Sequence, residues 1–169
     1  MIIVTGGAGF IGSNLINYLN QQSEQDILLV DNLRNGRKIH NISNLKIADY
    51  IDKDDFLTNM NDIFKNREVR AVFHLGACSA TSEWDGKYLM KNNYEYTKHI
   101  FEHCQINKTL FVYASSASVY GLGERGFSDM SNAYKPINAY AYSKLLFDQY
   151  ISLNSTKLVS PALGLRFFN

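Results

Sequence analysis

The first nineteen residues constrain the fold more than any other stretch. Met1-Ile2-Ile3-Val4-Thr5 is apolar, Gly6-Gly7-Ala8-Gly9-Phe10-Ile11-Gly12 follows at once, and Ile11, Leu15, Ile16 and Leu19 then form one apolar stripe. The pattern reads as strand, tight glycine turn, helix. Gly6 allows the turn, Gly9 lets backbone approach a pyrophosphate, and Gly12 lets helix and strand pack closely. Such a turn aims free N–H groups and the positive end of the helix at an anion. A glycine triplet also serves βα turns that hold no ligand. Here a second apolar run ends in Asp31, 19 residues after Gly12, near the spacing of a carboxylate that binds a ribose.

Short apolar runs recur at residues 2–5, 27–30, 45–48, 71–75, 110–114 and 162–167, separated by longer helix-like stretches. Leu89, Tyr96, Ile100 and Cys104 form one helical stripe. Asn138 is placed to cap a later helix that turns Leu145, Leu146 and Ile151 inward. Runs this short and this apolar read as strands buried on both faces. Alternation of strand and helix predicts an α/β fold: a Rossmann-like, doubly wound parallel sheet in three αβα layers with right-handed crossovers. With 169 residues the chain is one domain by length. A net charge of +1 offers no global field for nucleic acid or an anionic membrane, and no apolar run is long enough to span a bilayer. The first residues read as a strand and not as a signal peptide. Two cysteines, Cys78 and Cys104, suit a reducing cytoplasm and exclude a disulfide framework or a cysteine-only zinc site, so no metal is expected.

The residues alone leave the choice of nicotinamide cofactor open. Asp31 accepts a hydrogen bond from a ribose 2′-hydroxyl and repels a 2′-phosphate, which favours NAD; Arg34, Arg37, Lys38 and Lys53 supply cations that favour NADP. Arg34 and Arg37 read better as a solvated loop face.

Tyr140 and Lys144 are four residues apart at the start of a predicted helix and so share a face. A phenol is a poor base at neutral pH; a neighbouring ammonium and a helix N-terminus both stabilise the phenolate. Ser115-Ser116 ends the run at 110–114, at the sheet edge where ligands bind in open α/β folds. In this arrangement Ser116 holds a substrate oxygen, Tyr140 moves the proton, and Lys144 tunes Tyr140 and holds the nicotinamide ribose. Tyr94 and Lys98 have the same spacing but read as helix surface. His74 reads as a hydrogen-bonded strand-end histidine and Cys78 as small filler beside Gly76 and Ala77. Asn92 or Asn93 should meet the cofactor or a strand-end backbone group.

On Gly6-x-x-Gly9-x-x-Gly12, His74-x-Gly76-Ala77, Ser116-Ala117-Ser118-Val119-Tyr120-Gly121 and Tyr140-x-x-x-Lys144, the chain resembles the extended short-chain dehydrogenase/reductase superfamily. Within it, the chain is similar to the ADP-L-glycero-D-manno-heptose 6-epimerase family along its whole length. The segments that carry this are Val30-Asp31-Asn32-Leu33, Ile47-Ala48-Asp49-Tyr50, Gly76-Ala77-Cys78-Ser79, Glu83-Trp84-Asp85-Gly86-Lys87-Tyr88, Asn92-Asn93-Tyr94 and Arg166-Phe167-Phe168-Asn169. The resemblance implies a cytoplasmic enzyme of lipopolysaccharide inner-core synthesis in a Gram-negative bacterium, NADP-preferring and homo-oligomeric, pentameric in the family. It implies cofactor contacts at Phe10, Ile11, Asp31, Asn32, Lys38, Lys53, Leu75, Gly76, Ala77, Cys78, Ser79, Asn92 and Lys144, and a contact of Asn169 with an ADP-heptose substrate. Leu75 stands where the family has an acidic residue, so only a backbone contact carries over there.

The implied reaction is transient oxidation at C6 of the heptose, with hydride returned to the opposite face and no net redox change. The resemblance also implies a second acid/base lysine and a sugar-binding lobe beyond Asn169, so residues 1–169 are expected to be a truncated NADP-binding domain that binds nucleotide better than it epimerises. Dehydratases of the superfamily place an Asp-Glu pair where Ala117 and Ser118 stand. An NAD-dependent 4-epimerase shares the triad and is distinguished by the Glu83–Tyr88 segment. The non-enzymatic alternative is a dinucleotide-binding fragment.

Overall fold

A computed structural model describes residues 1–130 and 133–168. Six strands, β1 (Ile2–Thr5), β2 (Ile27–Asp31), β3 (Asp49–Asp52), β4 (Ala71–His74), β5 (Leu110–Ser116) and β6 (Ala162–Phe167), form one sheet in the order β3-β2-β1-β4-β5-β6. Every pairing is parallel. The order reverses between β1 and β4, which opens a crevice at the carboxyl ends of those strands.

The central strands behave as their composition requires. β1 and β2 are buried throughout, with Ile3, Val4, Ile27, Leu29 and Val30 wholly covered. One layer of core, centred on Phe56, Ile100, Phe111 and Phe147, lies under α3 (Lys53–Asn66), α5 (Tyr96–Ile106) and α6 (Ala139–Leu153). The other, with Val4, Ile16 and Leu29, lies under α1 (Phe10–Gln21) and the short α2 (Ile39–Ile42). The expected stripe of Leu89, Tyr96, Ile100 and Cys104 is buried, and Asn138 caps α6 by accepting from the Ala141 N–H at 2.8 Å.

Two expectations are corrected at the sheet edges. The apolar run at 45–48 is not a strand; pairing begins where Ala48 N–H reaches the Ile27 carbonyl, and β3 is Asp-Tyr-Ile-Asp. Leu45 and Ile47 pack from the preceding loop against the core under α1. An edge strand covered on one side needs little apolar sequence, so the apolar run and the strand part company. β6 is likewise not buried on both faces: Leu163 and Leu165 are exposed on the other edge.

The helix between β4 and β5 is composite. α4 (Gly86–Leu89) leads into a π-helical turn, Met90–Glu95, and then α5. The π turn carries Asn92, which lines the crevice, and Asn93, which is buried beneath it.

Candidate active site

A cleft of about 830 Å³ runs along the carboxyl ends of the strands. Its lining brings together Ser116, Tyr140 and Lys144, the loop from Leu75 to Ser79, Asn92, Lys53, Asp31, Asn32, Lys38 and the glycine turn with Phe10 and Ile11. All the residues singled out from the sequence for catalysis or cofactor contact therefore face one cavity. Asn169 lies outside the described residues.

The glycine turn is shaped by close approach. Gly6 has φ +67°, and a Cβ there would fall 2.7 Å from the Gly76 nitrogen. A Cβ on Gly12 would meet the Gly6 carbonyl oxygen at 2.3 Å, so Gly12 packs the helix onto its own loop and not onto a strand. α1 has no side-chain cap and no acidic residue in its first turn. α3, α4 and α6 are capped by Asp52, Asp85 and Asn138. The first amides of α1 are thus left for an anion in the cleft, which fits a dinucleotide pyrophosphate.

Asp31 is buried and already engaged. Oδ2 accepts from Ala8 N–H at 3.1 Å; Oδ1 accepts from Asn32 N–H and from Lys38 Nζ, both at 2.8 Å. The carboxylate thus ties the glycine turn to β2 while the Lys38 ammonium offsets its charge. Asn41 Nδ2, which sequence reasoning passed over, holds the turn from the other side through the Ala8 carbonyl at 2.9 Å. Arg34 and Arg37 are exposed, as a solvated loop face should be. Lys53 opens α3, pairs with Asp54 at 2.6 Å and stands 5.5 Å from the Tyr96 ring centre.

His74 organises the floor. Gly76 N–H donates to Thr5 Oγ1 at 3.2 Å, and the Thr5 hydroxyl lies 2.6 Å from His74 Nδ1. His74 Nε2–H donates to Thr97 Oγ1 at 2.8 Å, and the Thr97 hydroxyl donates to the Asn93 carbonyl. This run of donors assigns the neutral Nε2–H tautomer. Burial, with the nearby Lys144 charge, lowers the imidazole to about 3, so it stays neutral. Asn93 continues the chain: its amide accepts from Cys78 N–H at 2.9 Å and donates to the Cys78 carbonyl at 3.0 Å and to Ser143 Oγ at 3.2 Å. Of the two asparagines, Asn93 meets the strand-end backbone and Asn92 lines the cleft.

At the other end the two serines separate. Ser115 is buried and donates to Asp148 Oδ2 at 2.8 Å. Ser116 lines the cleft and accepts from Ser118 N–H at 3.2 Å and Ser118 Oγ at 2.9 Å, which leaves its own proton for a ligand. Tyr140 lies in the first turn of α6, where the helix dipole favours a negative oxygen. Lys144 is buried and donates to the Ala114 carbonyl at 2.8 Å. Burial pushes its ammonium down to about 8, against the pull of Asp148.

Sequence reasoning missed Asp148 and Arg166. Asp148 Oδ1 accepts from Tyr113 OH at 3.0 Å, and Oδ2 accepts from Arg166 Nε and Nη2, both at 3.1 Å. The rest of the Arg166 fork reaches Tyr120 OH at 2.7 Å, Asp129 at 2.6 Å and Tyr134 OH at 2.8 Å. Burial works against that charge, but the bonds to Tyr120, Tyr134 and Asp148 outweigh it and raise the guanidinium above its ordinary value. Arg166 thereby clamps the β5–α6 connection, whose Phe127 faces the cleft beside Phe168. The signal available was a lone arginine in the last apolar run, which periodicity does not single out.

The sequence profile of the NAD dependent epimerase/dehydratase family matches residues 2–169. An ADP-L-glycero-D-manno-heptose-6-epimerase of Alkalilimnicola ehrlichii is 52% identical over the whole chain, which covers 52% of that protein. Among solved structures, the Helicobacter pylori ADP-L-glycero-D-manno-heptose-6-epimerase aligns with a TM-score of 0.85 at 29% identity, over 99% of this chain and 55% of that one. The Bacillus cereus UDP-glucuronic acid 4-epimerase in complex with NAD aligns with a TM-score of 0.80 at 26% identity, over 99% of this chain and 56% of that one. The chain thus spans about half the length of these relatives.

Proposed function

The chain belongs to the NAD dependent epimerase/dehydratase family, and from that premise we propose that it serves an ADP-L-glycero-D-manno-heptose 6-epimerase that acts by transient oxidation at C6 with bound NADP. In this reading residues 1–169 are its NADP-binding domain. The observation that carries the reading is the joining of two sites in one cleft: the uncapped start of α1 opens on the cavity that holds Ser116, Tyr140 and Lys144.

The chemistry of these residues fits a dinucleotide. The first amides of α1 suit its pyrophosphate, and Asn32 and Lys38, just after β2 in the cleft wall, would hold its adenosine. When bound, NADP supplies a hydride acceptor that becomes a hydride donor. The chain's own residues handle protons and position. Ser116 donates to the oxygen at C6, Tyr140 is one of the two acid/bases that exchange its proton, the other being the lysine expected beyond Asn169, and Lys144 supplies a positive charge to Tyr140. Lys38 supports NADP over NAD, because the ion pair it makes with Asp31 removes most of the repulsion a bare carboxylate exerts on a 2′-phosphate.

A calorimetric titration of this chain with NADP⁺ and NAD⁺ tests the reading. NADP⁺ should bind more tightly, and Lys38→Ala should weaken it about tenfold while leaving NAD⁺ nearly unchanged. A preference for NAD⁺ overturns the cofactor assignment and points to a 4-epimerase. Incubation with ADP-heptose, followed by NMR at C6, tests the substrate; the chain should bind nucleotide more readily than it inverts C6.

A further inference from the structure

Lys144 and Asp148 lie one turn apart on the same face of α6; Lys144 is buried and the Asp148 side chain is 8% exposed. They are not bonded to each other. Lys144 Nζ takes the Ala114 carbonyl, while the Asp148 carboxylate takes Tyr113 OH and Ser115 Oγ. The ammonium and the carboxylate therefore straddle three consecutive residues of β5. On the far side of Asp148 stands Arg166, held by two bonds to Oδ2 and by the β5–α6 connection.

We propose that Asp148 is the positioning residue that keeps the Lys144 ammonium charged, and that Arg166 holds Asp148 in place while tempering its field. This deepens the reading of Tyr140 and Lys144 as proton-transfer partners and rests on that reading for its consequence: a neutral Lys144 gives Tyr140 no electrostatic help. The physical need is clear from burial. A buried lysine with no ion-paired carboxylate sheds its proton readily, and a carboxylate one turn along the same helix face opposes that loss. The other ionisable groups near Lys144 do not supply the counter-charge. His74, on β4, is neutral; Tyr113, on β5, is driven well above its ordinary range by burial and by Asp148 itself; Arg166, on β6, carries the wrong sign; and Tyr140 and Cys78, which line the cleft, are a phenol and a thiol and not carboxylates.

The test is a pH titration of Lys144 in this chain, labelled with ¹³C at lysine Cε and followed by NMR, with the resonance assigned by its loss in Lys144→Arg. Asp148→Asn should lower the Lys144 midpoint by about one pH unit or more. Arg166→Met, which removes the opposing cation, should raise it. A purely structural role for the pair predicts that both variants let water in and move Lys144 upward, toward the ordinary lysine value, which overturns the proposal; so does an unchanged midpoint in Asp148→Asn. Should Asp148→Asn leave Arg166 too poorly matched to fold, the Asp148→Asn/Arg166→Met double variant removes that unmatched cation as well. Its Lys144 midpoint should lie about one unit below that of Arg166→Met alone, and equality of the two overturns the proposal. No turnover is needed, so a chain that fails to bind NADP⁺ but shows these shifts argues against the proposed function and not against the counter-charge.

Discussion

At the β1–β2 end of the cleft the wall is backbone, whereas at the β5–β6 end it is side chain. The first end is a turn whose glycines touch other backbone at distances that admit no Cβ, pinned by one carboxylate and one amide. The second is a guanidinium gathering Asp148, Asp129, Tyr120 and Tyr134. A backbone cradle, closed where Gly6 meets Gly76, is held by approaches that leave no room for a side chain. A side-chain hub joins residues up to 46 positions apart and can be altered one contact at a time. The contrast suits the two tasks of the proposed function: a dinucleotide's diphosphate is a constant shape, and the sugar beside it is the variable part.

The comparison breaks most sharply at Gly12. Gly12→Val places atoms where the Gly6 carbonyl stands, and should cost about 3–5 kcal/mol in urea unfolding and abolish dinucleotide binding by calorimetry. Asn93→Ala should rank next. It leaves the Cys78 N–H and carbonyl without their partner, for a loss of about 2–3 kcal/mol and a weaker dinucleotide titration.

His74 provides a pH test of the floor between the two ends. Its imidazole titrates at about 3 when folded and 6.5 when unfolded, so the unfolded chain binds the proton first. Its contribution to stability is therefore full above pH 6.5 and declines as pH falls from 6.5 toward 3, by up to about 2 kcal/mol at pH 5. His74→Gln should be less stable at pH 8 yet show a flatter pH dependence, measured by urea unfolding across that range. The smallest effect belongs to the rim of the hub. Asp129 is 93% exposed at its side chain, so Asp129→Ala should change stability by under about 0.5 kcal/mol and leave NADP⁺ binding unmoved. If it loosens NADP⁺ as much as Asn93→Ala does, the two ends are not independent.

What the sequence by itself determined is the local part. The strand-turn-helix at residues 1–21, the buried strands β1, β2, β4 and most of β5, the capped start of α6 and the Tyr140-Lys144 face are all spelled by contiguous residues or fixed spacings, because backbone geometry and helical period are local properties. It even located β6, but not the exposure of its Leu163 and Leu165, since position within a sheet is not a local property. It misplaced β3 for the same reason: an edge strand carries little apolar signal. Only the tertiary structure decided that Ser115 is tied to Asp148, that Asp31 is paired with Lys38, that Asn93 and not Asn92 holds the Cys78 backbone, and that Asp148 and Arg166 meet beside Lys144. Each of those outcomes depends on which polar group is left unsatisfied once the chain has packed, and a buried donor or acceptor finds its partner across the fold, where spacing along the chain carries no information.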